Sequence, residues 1–244
     1  GIRDLVRSRG LGDVYKRQDV DGTTSVALIY RYLSKLTQNI DFYIPDRYTE
    51  GYGISTNGID FAAENGIHLV IALDCGIKAV EKMQYAKEKN VDFIICDHHT
   101  PGDIIPEAIA VLNPKQKDCM YPYKELSGCG VGFKFMQAFC NYKKLDPQNL
   151  FELLDLVAVS IASDIVPMTG ENRILEFFGL KRFNQTDNAG FKALKDVLGM
   201  KDKDFDVSDL VFKIGPRINA AGRMKHAKAS VDLLIEDDYA TAYE

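Results

Sequence analysis

The stretch Val91–His99, VDFIICDHH, runs an apolar segment straight into an acid and two adjacent histidines. The apolar part, Val91–Cys96, is short, rich in Ile, Val and Phe, and nearly uninterrupted. That pattern predicts a strand covered on both faces, as parallel sheets require. Ile67–Leu73 (IHLVIAL) reads the same way and ends on Asp74-Cys75-Gly76. Ile40–Ile44 (IDFYI) and Ala108–Leu112 (AIAVL) read as further strands, and another is expected just before Asp19. Between them, Thr23–Lys35, Ser55–Asn65 (with Ser55 as cap) and Ala79–Lys89 show helical spacing. Alternation of this kind predicts an α/β fold, a mainly parallel five-stranded sheet flanked by helices and joined by right-handed crossovers. A helical portion follows, with helices over Val131–Asn141, Leu150–Ser163, Arg173–Arg182 and Phe191–Leu198.

The totals fit one continuous unit. The chain has 244 residues, 46% hydrophobic and 27% charged, enough to bury a sizeable core. A net charge of −5 argues against a basic nucleic-acid coat protein but leaves room for a local phosphate-binding groove. Five scattered cysteines without a CxxC pair read as reduced thiols of a cytoplasmic protein, Cys75 as a packed small residue. No apolar run is long enough to span a membrane, and no secretory h-region is present. Residues 1–18 share none of the later periodicity and resemble an adapter-derived tail. They are read as non-native or disordered and set aside. Residues 19–235 are read as the catalytic domain, and 236–244 as the start of a connecting helix.

In such a fold ligands bind beyond the carboxyl ends of the strands. Asp19 and Asp21 before the first helix, Asp74, and Asp97-His98-His99 all fall there, and Asp164 joins them if the helical part folds back. Carboxylates and imidazoles gathered in a dry site repel or desolvate one another unless a cation lies between them. An oxygen-rich set with one or two imidazoles suits Mn²⁺ or Mg²⁺ better than a thiolate-type zinc site. Two such ions clamp a phosphate ester undergoing hydrolysis. On this reading one histidine ligates metal, its neighbour faces the phosphate, and Asp97 orients the imidazoles. His68, inside an apolar run, reads as structural, and His226 has no assigned role.

Four motifs carry a resemblance. D-x-D-G at Asp19–Gly22, LDCG at Leu73–Gly76, DHH at Asp97–His99 and ASDIVP at Ala162–Pro167 are similar to those of the DHH phosphoesterases. PDRYTEGYGIS (Pro45–Ser55), the run Asp97–Phe135, ELLDLVAVSIASDIVP (Glu152–Pro167) and GPRINAAGR (Gly215–Arg223) resemble the branch that degrades single-stranded DNA from its 5′ end. The resemblance extends over residues 19–244. It implies a two-metal 5′→3′ exonuclease core that releases 5′-mononucleotides in DNA repair and recombination, with Mn²⁺ as first choice of ion and Mg²⁺ as second. Asp19 would ligate one metal, Asp21, His98 and Asp164 the other, and Asp74 would bridge them. His99 would contact the scissile phosphate, with Asp97 behind it. Arg47 would hold a phosphate, and Asn219 and Arg223 would reach the nucleic-acid backbone. Implied partners are single-stranded DNA, a helicase and a single-strand-binding protein, for a monomer with no membrane association. The chain departs from the family at Tyr15 and Arg17, where further polar ligand-type residues are usual, and the family's DHHA1 and OB-fold parts are expected to be absent. Alternatives are a nano-RNA, nucleotide or cyclic-dinucleotide phosphodiesterase of the same superfamily, a family II-type pyrophosphatase, and a catalytically impaired nucleic-acid-binding fragment.

Overall fold

A computed structural model describes residues 14–16, 19–46, 49–224 and 228–244. Its sheet holds four parallel strands in sequence order: β1 (Val14–Lys16), β2 (Leu69–Leu73), β3 (Asp92–Cys96) and β4 (Ala110–Leu112). The predicted class holds, but the fifth strand does not. Within Ile40–Ile44 only Phe42 makes a bridge. Phe42 is buried by packing edge-on against Tyr30 at 5.5 Å, so the apolar alternation there reports burial rather than a place in the ladder. Part of the segment set aside, Val14–Lys16, supplies β1, which pairs with Ile71–Leu73.

The strand side chains divide cleanly, as a period of two demands. Ile71, Leu73, Ile94 and Cys96 face a larger core built on α1 (Val20–Leu33), α4 (Gly128–Lys143) and α6 (Leu154–Asp164). Val70, Ala72, Phe93 and Ile95 face a smaller one under α2 (Thr56–Glu64) and α3 (Val80–Glu88). Ser55 caps α2 as expected, accepting from the Gly58 amide. The remaining helical portion is α5 (Gln148–Phe151), α7 (Gly170–Asn184), α8 (Ala189–Val197), α9 (Val207–Asp209), α10 (Gly215–Met224), α11 (Lys228–Ile235) and α12 (Tyr239–Tyr243), with a π-helical stretch Leu210–Ile214 before α10. Leu150–Ser163, expected as one helix, is broken between α5 and α6. His68 precedes β2 and is exposed, so it is not a core histidine. No helix among the described residues is long and apolar enough to cross a membrane.

Helix α6 is the central post. Every residue from Asp155 to Ala162 is buried, which is what an all-round apolar helix must achieve. It packs along α1 and α7, and Gly179 of α7 lies so close that a Cβ there would collide with the Leu154 carbonyl. Further along the chain, Phe183 stacks against Phe191 (5.0 Å) and Phe205 (5.4 Å) and ties α7 to α8.

On α7, Glu176 is buried, and neither of its carboxyl oxygens has a hydrogen-bond partner among the described residues. Burial pushes its pKa up to about 8. Asn172, one turn earlier, has a buried Oδ1 that also lacks a partner among the described residues. The folded protein therefore binds the Glu176 proton more tightly than the unfolded chain does. That contribution to stability is complete below about pH 4.5 and is lost as pH rises through about 8. Denaturant unfolding across this range should show the chain losing stability relative to Glu176→Gln, each tenfold difference in proton affinity being worth about 1.4 kcal/mol. Parallel pH curves for the two proteins would contradict this.

Candidate metal centre

The strands end in register. Leu73 pairs with Cys96, and Cys96 pairs with Leu112. One residue further on stand Asp74, Asp97 and Asn113, and the ladder reaches them: the Asp74 amide donates to Cys96 O at 2.9 Å and the Asp97 amide to Leu112 O at 3.0 Å. Asp74 then takes a left-handed conformation, φ 56°, which an Asp tolerates better than most residues.

Helix ends bring the other groups. Helix α1 starts at Val20, three residues earlier than its periodicity predicts, so Asp21 lies in its first turn rather than ahead of it. Asp164 is the last residue of α6, so the helical part does fold back onto the strand ends. Two triads result. Asp21, His98 and Asp164 each offer a ligand atom within 4.8 Å of the others, and so do Asp74, His98 and His99. His98 is common to both. Its Nε2 lies 3.1 Å from Asp74 Oδ1, 3.6 Å from Asp164 Oδ2 and 3.7 Å from Asp21 Oδ2.

Each acid is held differently. Asp21 is buried, and its carboxylate sits at the N-terminus of α4. Gly128 N donates to Oδ2 at 2.6 Å, Cys129 N to Oδ1 at 2.8 Å and Ser160 Oγ to Oδ1 at 2.7 Å. A helix N-terminus favours negative charge, and each carboxylate oxygen keeps a lone pair for another partner. Asp97 accepts from the amides of Ile77, His98 and His99. Burial alone would raise its pKa, but its hydrogen bonds with the His99 ring and with backbone amides outweigh that and lower it. It is therefore ionised, so His99 Nδ1 carries the hydrogen of their 2.7 Å bond. Asn113 Nδ2 donates to His99 O at 2.8 Å and fixes the backbone of the same turn. Asp164 has no such amide support. Burial first, then the charge of Asp21, pushes it up to about 6, with His98 acting the other way.

This donor set fits a divalent cation. It consists of carboxylate oxygens and imidazole, and among the described residues buried His98 has no hydrogen-bond partner on either ring nitrogen while facing three carboxylates. Asp19 stands apart from both triads among the described residues. It caps α1 by accepting from Gly22 N at 3.1 Å, though its charge also acts on Asp164. Arg47 lies outside the described residues, as do Arg17 and His226. Arg223 falls on α10, with its side chain outside what is described, and Asn219 is half-buried on the same helix. Helix α10 starts beside the cluster's rim, because a Cβ on Gly215 would stand 2.7 Å from Ser163 Oγ, next to Asp164. Cys75 is buried.

Sequence reasoning missed the residues that hold the acids. Ser160, Ser127 and the amides of Gly128 and Cys129 form a buried bracket for Asp21, and Ser160 Oγ, its one hydrogen given to Asp21, accepts from Ser127 Oγ at 2.7 Å. The available signal was Ser127-Gly128-Cys129-Gly130, a capping serine followed by residues small enough for close approach. Gly128 is the tightest point, since a Cβ there would meet Asp74 Oδ1 and Cβ at 2.6 Å.

The DHH family, N-terminal domain, matches residues 14–161, more than half of the chain. The chain belongs to the DHH family. Within it the chain is similar to the single-stranded-DNA-specific exonuclease RecJ of Bacillus subtilis (strain 168), 39% identical over 231 residues, which is 95% of this chain and 29% of that protein. RecJ of Escherichia coli (strain K12) is 37% identical over 235 residues, 92% of this chain and 41% of that protein. The chain thus spans less than half the length of these relatives. A crystal structure of exonuclease RecJ bound to manganese superposes with a TM-score of 0.84 at 33% identity, over 94% of this chain and 57% of that one. RecJ from Thermus thermophilus in complex with Mg²⁺ gives 0.68 at 28% identity, over 95% of this chain and 29% of that one.

Gly128→Ala should push Asp74 and the α4 N-terminus apart. Calorimetric titration with Mn²⁺ should then show affinity lower by about 10–100-fold, the usual effect of disturbing groups that orient ligands. Unchanged Mn²⁺ affinity in a folded variant would show that the close approach does not position Asp74.

Proposed function

We propose that this chain is the catalytic core of a metal-dependent exonuclease that removes 5′-mononucleotides from single-stranded DNA in the 5′→3′ direction. The observation that carries the reading is the pair of acid–histidine triads sharing His98 at the carboxyl ends of the strands. The similarity to single-stranded-DNA-specific exonucleases over almost the whole chain supports the substrate class.

Asp21, His98 and Asp164 would hold one cation, with Asp74 between it and a second that Asp19 helps to hold. When bound, Mn²⁺ or Mg²⁺ would act as Lewis acid toward the phosphate and activate the attacking water. The chain's own groups do the rest. Asp97 receives the His99 Nδ1 hydrogen and fixes the ring plane. That leaves His99 Nε2 as the atom to meet a substrate oxygen. A doubly protonated His99 would donate from both nitrogens, to Asp97 and to the phosphate, and so oppose the negative charge that builds up there. Because the Asp97 bond occupies Nδ1, His99 serves the phosphate better than it serves a cation through that atom. The α4 N-terminus and Ser160 hold the Asp21 carboxylate aimed at the cluster. Arg47, Asn219 and Arg223 would hold the strand through its phosphates, with affinity that falls as salt rises. Residues 19–235, together with strand β1, would form this catalytic unit. Its setting is the cytoplasm, as a monomer beside a helicase and a single-strand-binding protein that deliver the strand.

The test is nucleotide release from 5′-phosphorylated single-stranded DNA with Mn²⁺, run beside duplex DNA, short RNA and Asp74→Ala. Release confined to the single strand and at least about 10²-fold lower in Asp74→Ala is expected. Preference for the short RNA would move the chain to the nano-RNA branch. Absence of release from every substrate by a folded chain would leave a binding fragment.

A further inference from the structure

Immediately after Asp164 the chain does something costly. Ile165 closes α6 in the left-handed region, φ 55° and ψ 35°. Helices often end this way, but on Gly or Asn, because a β-branched side chain clashes with its own backbone there. Packing does not explain the choice, since Ile165 is 80% exposed. A buried isoleucine could offset the strain with core contacts, whereas this one gives its side chain to solvent. Backbone strain of this kind marks positions where the surrounding structure enforces a geometry.

The surroundings do enforce it. Val166 packs on the main core. Pro167 O accepts from Asn172 Nδ2 and from Tyr123 Oη, both at 3.1 Å, and Tyr123 Oη also lies 3.2 Å from Thr169 Oγ1. Asn172 Nδ2 donates as well to Glu125 O at 2.6 Å. The segment is pinned at each end, and Met168 beside it is 38% exposed. The result is a fixed aliphatic projection one residue from Asp164, whose Oδ2 is 3.6 Å from His98 Nε2. The cluster itself presents carboxylates and imidazoles, which suit a phosphate and its cations. A nucleotide held there also carries a base, and aliphatic side chains such as Ile and Met are the kind that wedge against base faces.

The geometry points to Ile165 as the contact for the nucleobase of the nucleotide whose phosphate sits at the acid–histidine cluster. This rests on the reading of that cluster as the seat of a single-stranded phosphodiester. Ile165 touches the base irrespective of its identity, because every base has an apolar face. It gives the site a grip on DNA that the phosphate contacts alone do not supply.

Fluorescence anisotropy with Ca²⁺ in place of Mn²⁺, which keeps a cation at the oxygen ligands while replacing the ion proposed for turnover, separates the two contributions. The probes are 5′-phosphorylated oligothymidylate and an abasic phosphodeoxyribose strand of the same length. The chain should bind the base-bearing strand about 5-fold more tightly than the abasic one. Ile165→Gly should abolish that difference and leave abasic binding as it was, with an unfolding midpoint equal to or above the parent's because the left-handed position suits glycine. Ile165→Val should keep most of the difference. The inference falls if Ile165→Gly still discriminates, or if the parent chain binds both strands alike or neither. Base discrimination that depends on Ile165 in a chain that releases no nucleotide would uphold the contact and overturn the exonuclease reading. Nucleotide release without base discrimination would do the reverse.

Discussion

Three carboxylates converge on a single imidazole nitrogen at His98 Nε2, and the rest of the architecture answers to that crowding. Like charges held this close and away from bulk water raise one another's pKa, as Asp164 shows. The scaffold supplies hydrogen-bond donors to two of the acids. Asp21 takes two amides from the first turn of α4 and the hydroxyl of Ser160, and Asp97 takes amides from Ile77, His98 and His99. Asp21, Asp74 and Asp97 are all buried. Asp164, at a helix C-terminus where the dipole disfavours negative charge, lies at the rim.

The scaffold is built to meet at one edge. Strands β2, β3 and β4 finish in one register row, so Asp74, Asp97 and Asn113 emerge side by side. Helices α1 and α6 are buried along most of their length, which fixes the positions of their ends to within what close packing tolerates. Those ends carry Asp21 and Asp164. Gly128 and Gly215 mark the two places where a helix must approach the cluster too closely for a side chain. The side chains of the cluster are therefore placed by backbone and core rather than by their neighbours on a loop.

Much of this is legible in the sequence because it is written in short-range pattern. The uninterrupted apolar runs before Asp74 and Asp97 announce buried parallel strands, and the acids and histidines at their ends stand out against only four histidines in the chain. What escapes depends on contacts distant in sequence. Ile40–Ile44 alternates like a strand, but Phe42 is buried by Tyr30, and pattern cannot tell a packed extended segment from a ladder member. Helix α1 starts ahead of its periodic run because Asp19 caps a turn whose first residues include Asp and Gly, poor helix formers that tertiary packing overrides. Ser160 reads as one small residue in an apolar helix, and only its place 139 residues from Asp21 gives it a task. The π-helical stretch Leu210–Ile214 and helix α10 show no clean period, so pattern does not announce them.

The sheet being parallel has a consequence for how the protein is made. Asp21, Asp74, His98 and Asp164 sit on four separate segments, joined only after crossovers have closed and α6 has docked. Such long-range pairings form slowly during folding, and no pair of these groups is adjacent in the unfolded chain. A divalent ion thus finds nothing to template early on. Bound at the cluster, it would act afterwards by mass action, so the level of free cation would set how long the folded chain survives.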